Sequence, residues 1–184
     1  MTLARRVLLK RGFGLAAFGA AAGAAPVAMA LAGVPARRLA FDNLHTGETL
    51  DVAYWENGAY VPGALSAVNH VLRDHRNNQV HVIEPTLLDL LTALSAMLDT
   101  RERFNVISGY RSPESNAIMH EHSGQVASGS LHMQGMAIDI RLPGVALDRV
   151  RGAAETLAIG GVGYYPTSDF VHVDVGKART WSGT

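Results

Sequence analysis

The segment from Ser130 to Arg141 restricts the fold of this chain more than any other stretch. Apolar side chains at Met136, Ile138 and Ile140 alternate with Ala137, Asp139 and Arg141. This two-residue period is typical of a strand that is buried on one face. Gly135 allows the backbone to turn sharply just before the strand. The segment therefore predicts a strand with a carboxylate on its open face and a histidine, His132, at its start.

The rest of the chain mixes helical and strand patterns without regular alternation. Further strands are predicted at 39–44, 49–55, 104–108, 162–165 and 170–175. Helical spacing of apolar residues begins at Gly63, Pro85 and Leu147, and Ser112 is placed to cap a short additional helix. This order predicts the α+β class, with a mainly antiparallel sheet backed by helices.

The first 30 residues have the three parts of a secretory signal. Arg5 and Arg6 precede a Gly/Ala-rich stretch, and Ala28-Met29-Ala30 provides small residues for cleavage. The paired arginines, followed by two leucines and a lysine, resemble a twin-arginine export signal. We therefore expect a signal peptide at 1–30, one domain at 31–184, a periplasmic location and no stable membrane anchor after cleavage. A retained N-terminal anchor is the alternative.

Composition limits the chemistry that the domain can perform. The 184 residues of the whole chain include no cysteine, which excludes disulfides, thiolate metal clusters and a cysteine nucleophile. Because thiolates are absent, any metal must have nitrogen and oxygen ligands, and histidine is unusually abundant at eight copies. No block of lysine and arginine is present to neutralise phosphates, and we therefore expect no nucleic-acid partner.

Three residues have the types and positions of a catalytic zinc site. His132 and Asp139 are joined by the glycine turn, and His172 lies on a strand some thirty residues later. Two imidazoles and one carboxylate leave the fourth position of a tetrahedral zinc open for water, which distinguishes a catalytic from a structural site. The pattern predicts one Zn²⁺ per chain.

Hydrolysis also requires a base and a group that stabilises negative charge. Asp169, at the start of the strand that carries the third ligand, is the predicted base, although it is equally suited to a turn residue. Asp174 is the competitor, and it could instead orient the last histidine or act as a ligand. Arg111 could bind a substrate carboxylate or an oxyanion, or form a loop salt bridge. Tyr110 and Ser130 are predicted to line the cleft.

The remaining histidines show no pattern that suggests function. His120 and His122 are two residues apart in a polar stretch, so they would not share a helix face, and we interpret them as solvated. The other four are His45, His70, His75 and His81, which we interpret as non-functional.

Taken together, the motifs resemble those of a known enzyme superfamily. They are Ser-Gly-Tyr-Arg-Ser at 108–112, Ser-x-His-x-x-Gly-x-Ala-x-Asp at 130–139 and Asp-x-x-His at 169–172. This set resembles the zinc D-alanyl-D-alanine carboxypeptidases and L-alanyl-D-glutamate endopeptidases. The segments 43–48 and 161–166, with the paired arginines, are most similar to the periplasmic murein endopeptidase K branch.

The resemblance implies a Hedgehog-like metallopeptidase fold with zinc on His132, Asp139 and His172. It also implies that the partners are peptidoglycan peptides and that the reaction is hydrolysis of their cross-links, between two diaminopimelate residues. Two alternatives remain open. One is a D,D-carboxypeptidase or another stem-peptide hydrolase that uses the same site, and the other is a non-catalytic, zinc-containing module that binds the cell wall.

Overall fold

One eight-stranded sheet organises the part of the chain that the computed structural model describes, namely Leu31 and residues 36–123 and 126–183. The expected signal peptide at 1–30 lies outside these residues. In chain order the strands are β1 Ala36–Asn43, β2 Thr49–Glu56, β3 Ala59–Tyr60, β4 Phe104–Ser108, β5 Ala137–Arg141, β6 Gly161–Tyr165, β7 Phe170–Asp174 and β8 Arg179–Ser182. Across the sheet their order is β3-β2-β1-β4-β5-β7-β6-β8.

The sheet is mixed, which corrects the prediction of a mainly antiparallel one. Strands β1 and β4 are parallel, and so are β6 and β8, whereas the remaining neighbours are antiparallel. The parallel pairs arise because helical segments separate β1 from β4, and β7 lies between β6 and β8 in the chain. Strand pairing depends on such long connections, which local patterns do not encode.

Four α-helices accompany the strands in the described residues. They are α1 Pro62–Val71, α2 Pro85–Met97, α3 Pro113–His122 and α4 Leu147–Leu157. The first three begin with proline, whose fixed φ suits the first turn and whose missing N–H would have no partner there. Ser112 accepts a hydrogen bond from the backbone N–H of Ser115, which confirms its prediction as the cap of α3.

The two faces of the central strands have different roles. Helices α2 and α4 pack on one face, where Ile138 and Ile140 of β5 meet Val171 and Val173 of β7 in the hydrophobic core. Each of these four side chains is fully buried. Because side chains alternate along a strand, the intervening residues point to the opposite face. The polar groups of β5 and β7 therefore lie together, away from the core.

Two short strands were not predicted. Strand β3 has two residues and β8 has four, and both lie at the edges of the sheet. Among the described residues, no helix combines the length and the apolar character required to cross a membrane.

Candidate metal centre

Strand register places Asp139 directly beside His172. The antiparallel pair β5–β7 aligns these two residues as Cα partners, so their side chains leave the same face of the sheet. His132 reaches them from a 3₁₀ helix, Leu131–Gln134, immediately before β5. Gly135 ends that helix with a φ of 67°, and a Cβ there would collide with the carbonyl oxygen of Val82. Glycine at 135 is thus required to bring the histidine to the strand.

The ligand atoms of these three residues converge on one point. Nδ1 of His172 lies 2.9 Å from Oδ1 of Asp139 and 3.1 Å from Nε2 of His132. The third separation, from His132 Nε2 to Asp139 Oδ1, is 3.3 Å. All three residues are buried. Zinc–ligand bonds in a tetrahedral site would place such atoms about 3.3 Å apart.

The outer nitrogen of each imidazole faces an acceptor. Nδ1 of His132 lies 2.7 Å from the carbonyl oxygen of Gly109, which can only accept, so this nitrogen donates. Nε2 of His172 lies 3.1 Å from the carboxylate of Asp174 and donates in the same way. In the neutral imidazoles the inner nitrogens are therefore left with lone pairs. Such partners are typical of metal-bound histidines, because they select the tautomer and hold the ring in place.

This arrangement of donors fits a metal cation. Two imidazole lone pairs and a carboxylate oxygen face one another at hydrogen-bond distance, and they repel unless a cation or a proton lies between them. Consistently, burial opposes charge on His172, yet Asp139 and Asp174 raise the pKa of its imidazole to about 9. Burial likewise opposes the charge of Asp139, but His132 and His172 hold the pKa of this carboxyl well below its usual range. The nitrogen and oxygen ligands suit Zn²⁺.

An ion pair between buried Asp174 and exposed Arg179 supports the third ligand from behind. Asp174 is fully buried and accepts hydrogen bonds from the backbone N–H groups of Gly161 and Gly176, at 2.8 and 2.9 Å. Arg179 of β8 donates to both of its carboxylate oxygens, at 3.2 and 2.7 Å. A Cβ at position 161 would collide with both members of the pair. The geometry is that of a residue that orients His172.

A cavity of about 420 Å³ opens directly onto the three ligand candidates. It is lined by all three and by Arg111 and Ser130. Arg111 is buried, its guanidinium lies 3.7 Å from Asp139, and its Nε has no hydrogen-bond partner among the described residues. A buried guanidinium beside an open cavity is suited to an anionic ligand or a developing oxyanion.

The structure does not bring Tyr110 or Asp169 into the wall of this cavity. Tyr110 is buried and its ring stacks on His81, with ring centroids 4.7 Å apart. Asp169 lies in the turn between β6 and β7 with a φ of 56°, and its carboxylate is 60% exposed. It pairs with Arg141 at 2.5 Å. Its chain neighbours Ser168 and Phe170 do line the cavity, so Asp169 lies at the rim.

Several cavity residues were missed by sequence reasoning. They are His45, Arg76, Arg179 and Trp181. The ring centroids of Trp181 and His172 are 5.1 Å apart, and a Cβ at Gly163 would lie 2.6 Å from the indole. The sequence signal for Trp181 was Gly163, which pairs with His172 in the neighbouring strand. A glycine within a strand often marks a site where another group approaches closely.

The fold is a mixed α+β domain, and its buried centre of two histidines and one carboxylate opens onto a cavity. Such a centre is typical of metal-dependent hydrolases, which is the class that fold and site define. Comparisons with known proteins identify the family. Residues 32–181 match the family described as peptidoglycan L,D-endopeptidase MepK, and the chain belongs to this family. The family is part of the zinc peptidase superfamily that the sequence motifs resemble.

The curated relatives cover most of the chain. Peptidoglycan L,D-endopeptidase MepK of Escherichia coli (strain K12) is 41% identical over 177 residues, which are 96% of each chain. The protein of the same name from Shigella flexneri matches with the same identity and coverage. A protein of Haemophilus influenzae, described as "Probable peptidoglycan L,D-endopeptidase MepK", is 43% identical over 148 residues, or 80% of each chain.

Proposed function

We propose that this chain is a zinc-dependent endopeptidase that hydrolyses the peptide cross-links of peptidoglycan between diaminopimelate residues. The observation that carries the proposal is the convergence of three ligand atoms at the wall of an open cavity, in a member of the MepK family. A structural zinc site is closed by four protein ligands, whereas three ligands beside a cavity leave room for water and substrate. The names of the relatives support the substrate class.

In this proposal His132, Asp139 and His172 hold one zinc ion. When bound, the ion lowers the pKa of water towards neutrality and polarises the scissile carbonyl. The chain's contribution is to keep the imidazoles in the required tautomers, through the carbonyl of Gly109 and the carboxylate of Asp174. All three ligands are buried, which limits the access of bulk water that would compete with them for the metal.

Arg111 is the proposed electrostatic group of the reaction. Its buried guanidinium is held beside Asp139 and Asn116, and the residue lines the cavity. A donor fixed in this way stabilises negative charge on the substrate without having to reorganise during the reaction. Ser130 lines the cavity and caps the helix of His132, because its hydroxyl accepts from the backbone N–H of that histidine at 3.3 Å.

Asp169 is the proposed general base, which takes a proton from the attacking water and passes it to the leaving nitrogen. Its carboxylate is paired with Arg141 at the rim, so catalysis requires the turn to release this ion pair. The pair is well exposed, and exposed ion pairs contribute little stability, so the cost of release is small. Asp174 is committed to His172 and Arg179, which favours Asp169 for this role.

We also propose that the enzyme acts in the periplasm, to which residues 1–30 direct it as a twin-arginine-type signal peptide, and that 31–184 form the single catalytic domain. Peptidoglycan is the substrate named for the relatives, and it lies outside the inner membrane. The location and the substrate are therefore consistent with each other.

The test is incubation of the zinc-loaded protein with purified cross-linked peptidoglycan, with and without a chelator, followed by identification of the products. We expect dimeric muropeptides joined through diaminopimelate to be converted to monomers, and chelation to abolish the reaction. Release of terminal D-alanine alone would instead identify a carboxypeptidase. Binding to peptidoglycan without any cleavage would identify a wall-binding module.

A further inference from the structure

The outer part of the cavity carries a group of basic side chains that the proposed reaction does not use. His45 and Arg76 both line the cavity. His45 stacks face to face on His75, with ring centroids 3.9 Å apart and an angle of 8° between the rings. His75 and Arg76 are adjacent in the chain, so these three residues form one cluster, which we call the basic rim. From the sequence, neither histidine was predicted to be functional.

A single buried carboxylate connects the basic rim with Arg111. Asp74 is fully buried, and its Oδ1 accepts from the backbone N–H of Arg76 at 3.0 Å. Its Oδ2 accepts from the backbone N–H of Ser112 at 2.8 Å. Asp74 thus fixes both loops that present an arginine to the cavity. The two arginines are held as a pair, although they come from distant parts of the sequence.

Positive charge in the outer cavity is poorly compensated. The guanidinium of Arg76 approaches Asp74 only to 3.7 Å, and both carboxylate oxygens already accept backbone hydrogen bonds. Arg179 also lines the cavity, but its charge is matched by Asp174. Among the described lining residues the acid is Asp139, a proposed metal ligand. Burial is the main cause that lowers the pKa of His75 to about 4, and the charge of Arg76 lowers it further.

Here we infer that the basic rim is a subsite for a substrate carboxylate, in which Arg76 forms the ion pair and His45 contributes a second polar contact. This inference rests on the proposed function. Arg111, which lies next to Asp139, then remains available to stabilise negative charge at the scissile bond. A guanidinium that is about one-third exposed and only loosely paired can turn to a carboxylate without breaking a strong contact.

The chemistry of the proposed substrate supplies such a carboxylate. Each amino group of diaminopimelate shares its carbon atom with a carboxyl group. A cross-link formed through one of these amino groups therefore has a carboxylate next to the amide nitrogen, outside the bond that is cut. A subsite for this group would favour diaminopimelate links over peptide bonds that lack an adjacent carboxylate.

The experiment compares the zinc-loaded wild type with Arg76→Gln, Arg76→Lys and a control, Arg38→Gln. Arg38 is an exposed arginine of β1 that pairs with Asp51 and is not part of the cavity wall described here. The substrates are a muropeptide dimer joined between diaminopimelate residues and the same dimer with its free carboxyl groups converted to amides. Thermal unfolding of each variant shows whether the fold is retained.

We expect Arg76→Gln to raise KM for the unmodified dimer about tenfold, with kcat changed less than about threefold, because a partly buried ion pair to substrate is lost. Arg76→Lys should recover part of the loss, and Arg38→Gln should match the wild type. With the amidated dimer, the wild type and Arg76→Gln should have the same KM. An equal KM for Arg76→Gln and the wild type on the unmodified dimer would overturn the inference, and so would an equal loss on both dimers.

A binding measurement separates this inference from the proposed function. The monomeric stem peptide ending in diaminopimelate is titrated into the zinc-loaded wild type and Arg76→Gln by calorimetry. Should the wild type cleave no dimer, the proposed function fails. Weaker binding of this peptide to Arg76→Gln would then still support the carboxylate subsite, and unchanged binding would overturn it as well.

Discussion

Replacement of Asp174 by asparagine tests whether the ion pair of Asp174 and Arg179 behind His172 maintains the metal centre. Both carboxylate oxygens of Asp174 accept hydrogen bonds. Oδ1 accepts from two backbone N–H groups and one nitrogen of Arg179. Oδ2 accepts from His172 and the other nitrogen of Arg179. Asparagine has nearly the same shape but carries no charge and has only one acceptor oxygen. In either orientation its amino group therefore faces donors.

The expected magnitude follows from these contacts. At least two hydrogen bonds to a buried charge are lost, each worth roughly 1.5–3 kcal/mol, but Arg179 is 45% exposed and can turn to water. We therefore expect the metal-free variant to lose about 3 kcal/mol in the free energy of unfolding. Since His172 also loses the acceptor that selects its tautomer, zinc affinity should fall roughly 10- to 100-fold.

Two measurements on the same preparations check this prediction. Zinc affinity is obtained by competition with a chromophoric chelator, and stability by urea unfolding of the metal-free protein. The matched control is Asp51→Asn, in which an exposed carboxylate that pairs with Arg38 loses its charge, and both quantities should stay near the wild-type values.

The orienting role of Asp174 would be refuted by wild-type zinc affinity in a properly folded Asp174→Asn variant. If this variant kept its zinc and lost turnover by more than about 10²-fold, Asp174 rather than Asp169 would be the base. A fall in stability alone, with no change in zinc affinity, would show that the ion pair supports the sheet but not the metal site.

Three further predictions concern the proposed ligands, base and signal. The wild type should hold about one zinc per chain, and His132→Ala and His172→Ala should each lose it, because a three-ligand site cannot spare a donor. Full zinc occupancy of both variants in a metal analysis would show that these histidines are not ligands. Asp169→Asn should keep the fold and the zinc but lower turnover roughly 10²- to 10⁴-fold, and near-normal cleavage would exclude it as the base. Changing Arg5 and Arg6 together to lysine should leave the precursor in the cytoplasm, and its normal arrival in the periplasm on fractionation would rule out twin-arginine export.

Features that depend on local periodicity could be predicted from the sequence. Alternation in β5 predicted that Ile138 and Ile140 face the core and that Asp139 faces away, and all of this is observed. The helices that begin at Pro85 and Leu147 were also predicted, as was the cap at Ser112. These features follow from interactions between residues that are close in the chain, which a single sequence displays directly.

Features that depend on distant contacts required the structure. Strand β8 has little apolar character, and it is a strand because it pairs with β6, where Arg179 reaches Asp174. Similarly, Asp169 has the spacing expected of a catalytic acid, but the pairing of its carboxylate with Arg141 is visible only in the folded chain. Neither partner could be inferred from spacing, because the contacts join separate segments of the sheet.

The sequence alone predicted the three proposed metal ligands, since each lies in a short motif that a single sequence displays. The tertiary structure alone decided what surrounds them. Asp139 meets His172 through the register of β5 and β7, and Arg76 reaches the cavity because buried Asp74 fixes its loop. The physical reason is that donor chemistry belongs to individual side chains, whereas burial, orientation and local charge are set by contacts between residues far apart in the chain.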